Sequence, residues 1–372
     1  MTTELSITPS RQAAFENAFS FAAGQLRRLV ESRPGAFPMY TTQGRWDFSG
    51  EAWTNWCEGF LGGQLWLLYL HSGEPYWREK AEMYSRLVLP RQFDRSVHDL
   101  GFIFLPTCKR WYDLSGEAAL NAALIQAGRT LALRYQPKGK YLCSFLGANS
   151  LFIDIMMNAP LIFYAAQQSQ DQALNELALQ HCLTTRRRLV RGDGSTAHEG
   201  LFDPETGEFL GQSTQQGWRA DSCWARGQAW AIAGFTSVYS YTQDPRFLAT
   251  AKACADFYLQ HTPEHGVPPN DWDEPDPRLP FESSAAAIAA HGLLQLSRVC
   301  ASWAESRVYR QACLRILETL CAPPFLAIDD PNWEGILKHA IYHQRKGLGV
   351  DESVMWGDYF FLEALYEALH GS

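Results

Sequence analysis

The chain has 372 residues and a formal net charge of -8 at pH 7, longer than one compact core usually grows unless its elements close into a ring or barrel. Its 46% hydrophobic and 19% charged residues describe a globular protein, and the acidic balance excludes nucleic acid as a bulk partner. Nine cysteines without CxxC or Cys/His pairs at zinc spacing fit core thiols; with no leader-like or membrane-length apolar run, a cytoplasmic protein that engages no membrane is expected.

Residues 9 to 31 place Phe15, Ala18, Phe19, Ala22, Leu26 and Leu29 at three- and four-residue spacing, which predicts an amphipathic helix closed by Arg33-Pro34-Gly35. After a loop ending near GRWDFSGE, the run WTNWCEGFLGGQLWLLYLH from Trp53 to His71 is apolar almost all round and predicts a buried helix. The helix from Tyr76 to Leu89 is polar outside again. This alternation recurs: a buried helix, a short polar turn, then an amphipathic helix, as in HSGEPYWREKA, LSGEAALNAAL, SQDQALNELA, TQDPRFLATAKA and SWAESRVYRQA. Buried helices are expected near Trp53, His98, Phe152, Ser222, Ser283 and Ser353, and outer ones near Ser10, Pro75, Glu117, Gln172, Pro245 and Arg307. Six inner helices ringed by six outer ones make an all-α (α/α)6 barrel, and the irregular repeat departs from the fixed period of a stacked solenoid. No Pro/Gly/Ser-rich linker separates halves, which favours one domain over residues 1–372 above two helical domains. Short turns then lie at one barrel end and long loops at the other, where function is expected.

Several segments at the long-loop end carry chemistry. The second buried helix opens VHDLGFIF, with Asp99 either a partner carboxylate or an N-cap for the helix beginning at Leu100, and His98 either a packing residue or a participant. The third opens LFIDIMMNAP. Burial raises the pKa of a carboxylate such as Asp154 unless a partner holds it, as a general acid requires, and Asn158 is placed to bond it. The alternative is a structural carboxylate capping a neighbouring helix. Two carboxylates on adjacent inner helices make a glycosidase-like pair.

In VRGDGSTAHEGLFDPETGEFLGQSTQQG, the turn DPETG between LF and FL predicts a small hairpin in a loop at the active-site end, flanked by His198 and Gln216. The stretch DSCWARGQAWAIAGFTSVY sets Arg226 among Trp224, Gln228 and Trp230. A buried arginine needs an anionic partner, either an acidic core residue or a ligand in the cleft. Arg186-Arg187-Arg188, closing an outer helix, is read as facing solvent. Asp271, Asp273 and Asp276 look superficially like a calcium loop, but three prolines and the lack of a suitably placed glutamate leave a rigid loop capped by Ser283 or Ser284. A basic loop, His343 to Lys346, precedes the last buried helix. No metal and no cofactor is expected. The 13 Trp fit carbohydrate stacking and large-core packing equally well.

Together TNWCEGFLGGQLW, HDLGF, IDIMMN, RGDGSTAH, DSCWARGQAWAIAGF, SSAAAIAAHGLLQL and GDYFFLEAL resemble, in order and over nearly the whole chain, the unsaturated glucuronyl hydrolases of glycoside hydrolase family 88. The related unsaturated rhamnogalacturonyl hydrolases share the layout, but MMN after Asp154 and the WARGQAW block are more similar to the glucuronyl group. The resemblance implies release of a 4-deoxy-4,5-unsaturated uronic acid from the non-reducing end of lyase-generated oligosaccharides, by hydration of the vinyl ether. It implies Asp154 as general acid and base, Asp99 as the second carboxylate, and Trp53, His198, Gln216, Arg226 and Trp230 as substrate contacts. Glu282 departs from the Asp that more often precedes the Ser pair in the family. A non-catalytic sugar-binding barrel is the rival class; it would not need two carboxylates on one cavity.

Overall fold

A computed structural model describes residues 7–48, 55–275 and 281–371. Inner helices α2 (Glu58–Ser72), α7 (Ile155–Ser169), α9 (Ala225–Thr242), α11 (Ser283–Val299) and α13 (Met355–His370) are joined by a composite sixth. That one runs from α4 (Leu100–Phe104) through a π-helical stretch, Leu105–Lys109, into α5 (Arg110–Ser115). Pro106 lies in the π turn, where its missing N–H removes a regular helical hydrogen bond. Outer helices are α1 (Pro9–Ser32), α3 (Pro75–Val88), α6 (Ala118–Ala132), α8 (Gln172–Leu189), α10 (Pro245–His261) and α12 (Trp303–Leu320). Packing of α13 against α2 closes the ring. This is the expected (α/α)6 barrel.

The inner helices bury nearly every side chain, whereas the outer ones bury one face, as their sequence periodicity requires. Three of the short polar turns supply side-chain helix caps. Asp171 accepts from Ala173 N–H and Leu174 N–H, Asp244 from Arg246 N–H, and Ser302 from Glu305 N–H. The nine cysteines are free, seven of them buried. Among the described residues, no helix is long and apolar enough to cross a membrane.

The long-loop end holds more β-structure than the single hairpin expected. The hairpin itself is β6 (Glu199–Phe202) with β7 (Phe209–Ser213), but β5 (Ser150–Phe152) adds a third antiparallel strand. Three further pairs form: β1 (Thr41–Thr42) with β2 (Arg45–Trp46), β3 (Tyr135–Gln136) with β4 (Tyr141–Leu142), and β8 (Ala340–His343) with β9 (Leu348–Glu352). The basic loop is thus the tip of the last hairpin. Arg186 and Arg187 are exposed as expected, but Arg188 is half-buried with its guanidinium 4.8 Å from the Phe209 ring.

Candidate active site

Asp99 and Asp154 occupy the N-cap positions of α4 and α7, yet neither side chain caps its helix. They face His98 instead. Its Nε2 lies 3.3 Å from Asp99 Oδ1 and 3.5 Å from Asp154 Oδ1. The close approach of α4 to α7 depends on Gly101, where an added Cβ would stand 2.5 Å from Asn158 Cα. Asn158 does not bond the Asp154 carboxylate as expected. Its amide donates to the Asp154 backbone oxygen (3.2 Å) and its Oδ1 accepts from Phe102 N–H (2.9 Å), tying the two helix starts together.

His98 Nδ1 accepts from Phe145 N–H at 3.0 Å. The ring proton is therefore on Nε2, between the two carboxylates. His98, Asp99 and Asp154 are close enough together to suggest a metal site, but an Nε2 that carries a proton has no lone pair to give. Burial opposes charge on this ring, and the two aspartates outweigh it and raise the His98 pKa.

The two carboxyls are pushed apart. Burial lifts Asp99 to about 7, with Asp154 adding to the rise and His98 opposing it. Asp154 is somewhat more open to the cavity than Asp99, and His98, then His198 and Arg226, overcome what burial it has and hold it below the ordinary range. The raised pKa expected for Asp154 belongs to Asp99, because three cationic or N–H-bearing side chains surround Asp154.

Both aspartates line a cavity of about 250 Å³ with Trp56, Gln216, Arg226, Trp230 and Tyr342. Arg226 is buried, its guanidinium 4.5 Å from the Trp224 ring. Nη1 donates to Ile341 O, and Nη2 to Gln216 Oε1 (2.5 Å) and Tyr342 O (2.8 Å). Its anionic partner is Glu282, 3.8 Å away and fully buried. Glu282 also caps α11, accepting from Ser284 N–H and Ala285 N–H, so the cap is this glutamate and not Ser283 or Ser284. The core-partner reading of Arg226 holds, and the residue also faces the cavity.

His198 is packed against Phe152 and Trp224, with ring centroids 4.6 and 4.5 Å away. Its Nδ1 accepts from Gln215 N–H (3.1 Å), which leaves the proton on Nε2, a buried atom without a hydrogen-bond partner. Burial brings its pKa down to about 3, against the pull of Asp154. Trp230 forms the cavity floor against Phe102 and Phe360, 4.9 and 5.3 Å between centroids. Trp53 lies outside the described residues, as does Asp276.

Asp271 and Asp273 are loop clamps. Asp271 Oδ2 accepts from Trp218 N–H (2.9 Å) and Ser222 Oγ–H (2.6 Å), and Asp273 Oδ2 from Cys223 N–H (2.9 Å), which fixes the loop leading into Arg226. Trp56, Phe145, Tyr342 and Gln215 also line the cavity and were not singled out from the sequence. Trp56 was legible as the second Trp of WTNWCEGF. The others reach the site from loops and a hairpin whose pairing no local pattern reveals. Lys346 lies on the rim, while Arg345 donates to Trp218 O.

The sequence model of Glycosyl Hydrolase Family 88 matches residues 40–295. An unsaturated glucuronyl hydrolase from Bacillus sp. (strain GL1) is 35% identical over 334 residues, covering 86% of this chain and 87% of that protein. An unsaturated chondroitin disaccharide hydrolase from Streptococcus pneumoniae is 32% identical over 324 residues, covering 84% and 81%. Among solved structures, UGL with dGlcA-Glc-Rha-Glc superposes with a TM-score of 0.91 at 30% identity, covering 96% of this chain and 97% of that one.

Proposed function

The chain belongs to glycosyl hydrolase family 88, and from that premise we propose that it removes the 4-deoxy-4,5-unsaturated uronic acid from the non-reducing end of lyase-generated oligosaccharides. The whole chain, residues 1–372, would act as one catalytic domain. Nine free cysteines support a reducing, cytoplasmic setting. The observation that carries the reading is the pair of aspartates flanking His98 Nε2 at 3.3 and 3.5 Å on the wall of a cavity that also holds Arg226. A sugar-binding module has no use for such a pair.

In this reading the flattened ring lies on Trp230 and its carboxylate meets Arg226, with Gln216 and His198 Nε2–H as further donors. Trp53 retains the contact that family resemblance implies. The uronate charge offsets that of Arg226, one of the groups holding Asp154 down, so substrate binding raises the Asp154 pKa. Asp99, which titrates near neutrality, keeps a proton in the cluster. Asp154 then protonates C4 while water adds at C5, and the resulting carboxylate accepts the proton of that water. The C5 hemiketal opens, leaving a C1 hemiacetal that expels the sugar. Asp99 orients the ring and tunes Asp154 through His98.

Turnover of a lyase-generated disaccharide is followed as loss of the ultraviolet absorbance of the double bond. In heavy water the promptly analysed product should carry one deuterium at C4, on one face, because the acid stands on one side of the ring. A promptly analysed product without C4 deuterium would overturn hydration in favour of direct glycoside cleavage.

A further inference from the structure

Beneath the active-site cavity the barrel holds a second one. Its volume is about 180 Å³, and it shares no lining residue with the first. Every inner helix contributes to its wall: Phe60, Arg110, Met157, Ser237, His291 and Glu363 come from the six in turn. The aromatic layer of Phe102, Trp230 and Phe360 divides the two. Arg110, Ser237 and Gln295 are partly exposed and lie well along their inner helices, so this lower cavity opens at the short-turn end.

Two polar atoms there lack hydrogen-bond partners although they are buried, Arg110 Nε and His291 Nδ1. His291 is 7% exposed, and its Nδ1 stands 3.5 Å from Glu367 Oε1. Orphaned buried groups of this kind mark a missing partner. His291, Glu363 and Glu367 lie close enough together to suggest a cation. Charge argues otherwise: Glu363 is already paired with Arg110 and accepts from Tyr359 Oη–H (2.5 Å), and Glu367 is paired with Arg298 at 2.8 Å. The missing partner is therefore neutral. A hydroxyl group accepts from Arg110 Nε–H and serves His291 Nδ1 whichever nitrogen holds the ring proton. Phe60, Tyr359 and Phe360 offer apolar faces for C–H groups.

We propose that this lower cavity is a second ligand site, for a small neutral polyol. The probe is myo-inositol, which has no unsaturated uronate and is no substrate. Saturation-transfer NMR with the full-length protein should detect its binding. Ser237→Trp, which plugs the mouth, should abolish the signal, and His291→Phe should weaken binding at least tenfold. Both variants should turn over the unsaturated disaccharide as the wild type does, which also reports that they fold. If Ser237→Trp fails that control, His291→Phe decides alone. No transfer to myo-inositol from the wild type, or transfer unchanged by these substitutions, would overturn the proposal, as would binding that appears only when Zn²⁺ is added.

Discussion

Replacing Asp99 by asparagine should stabilise the protein at alkaline pH. The carboxyl is 3% exposed, and its pKa rises from 3.8 to about 7. At about 1.4 kcal/mol per pKa unit, ionising it in the fold costs about 4 kcal/mol relative to the unfolded chain. Asparagine keeps an oxygen for His98 Nε2–H and removes that charge, so a gain of about 2–4 kcal/mol is expected above pH ~8. Because the folded-state pKa lies above the unfolded one, the carboxyl's contribution is intact below pH ~4 and is lost as pH rises through about 7. The gain from Asp99→Asn must follow the same course, near zero at pH ~4 and largest at pH ~8.5. Urea unfolding of both proteins across this range measures it as a midpoint shift at unchanged slope. A gain of equal size at both ends, or a variant less stable than wild type at pH ~8.5, would refute the account of Asp99 as a desolvated carboxyl held for function.

Asp154→Asn should lower kcat by roughly 10²–10⁴ while far- and near-ultraviolet circular dichroism stay unchanged, since shape and polarity persist but the acidic proton is gone. Arg226→Ala should raise KM, lower kcat and also cost about 3–5 kcal/mol in unfolding, because Glu282 is left buried without its partner 3.8 Å away. A loss of stability alone, seen with kinetics and melting on the same preparation, would make Arg226 purely structural. Chelator dialysis should leave turnover unchanged, because the His98 ring offers Asp99 and Asp154 a proton rather than a lone pair; activity restored by a divalent ion would contradict this.

Much of the molecule is decided by local pattern. A helix buried on all sides and one buried on a single face differ in their own residues, so the inner-outer alternation, and with it the barrel, is legible along the chain. Asp99, Asp154 and Arg226 were visible for the same reason, as charges in apolar helix starts. What those charges do was decided in three dimensions. An N-cap position describes backbone, and only the packing of α4 on α7 over Gly101 turns both aspartates onto His98 instead of their own helices. Which of the two has the raised pKa depends on neighbours from distant segments, His198 and Arg226 beside Asp154. Apart from the β6–β7 hairpin, whose turn marks it, the short strands escaped notice because two to five residues make too weak a signal without a partner, and β5 pairs with β6 some fifty residues later. Glu282 looked like a loop variation; it is at once the α11 cap and the counter-charge of Arg226. Electrostatics and strand pairing act through space, so they belong to the tertiary structure, whereas burial periodicity acts along the helix and is written in the sequence.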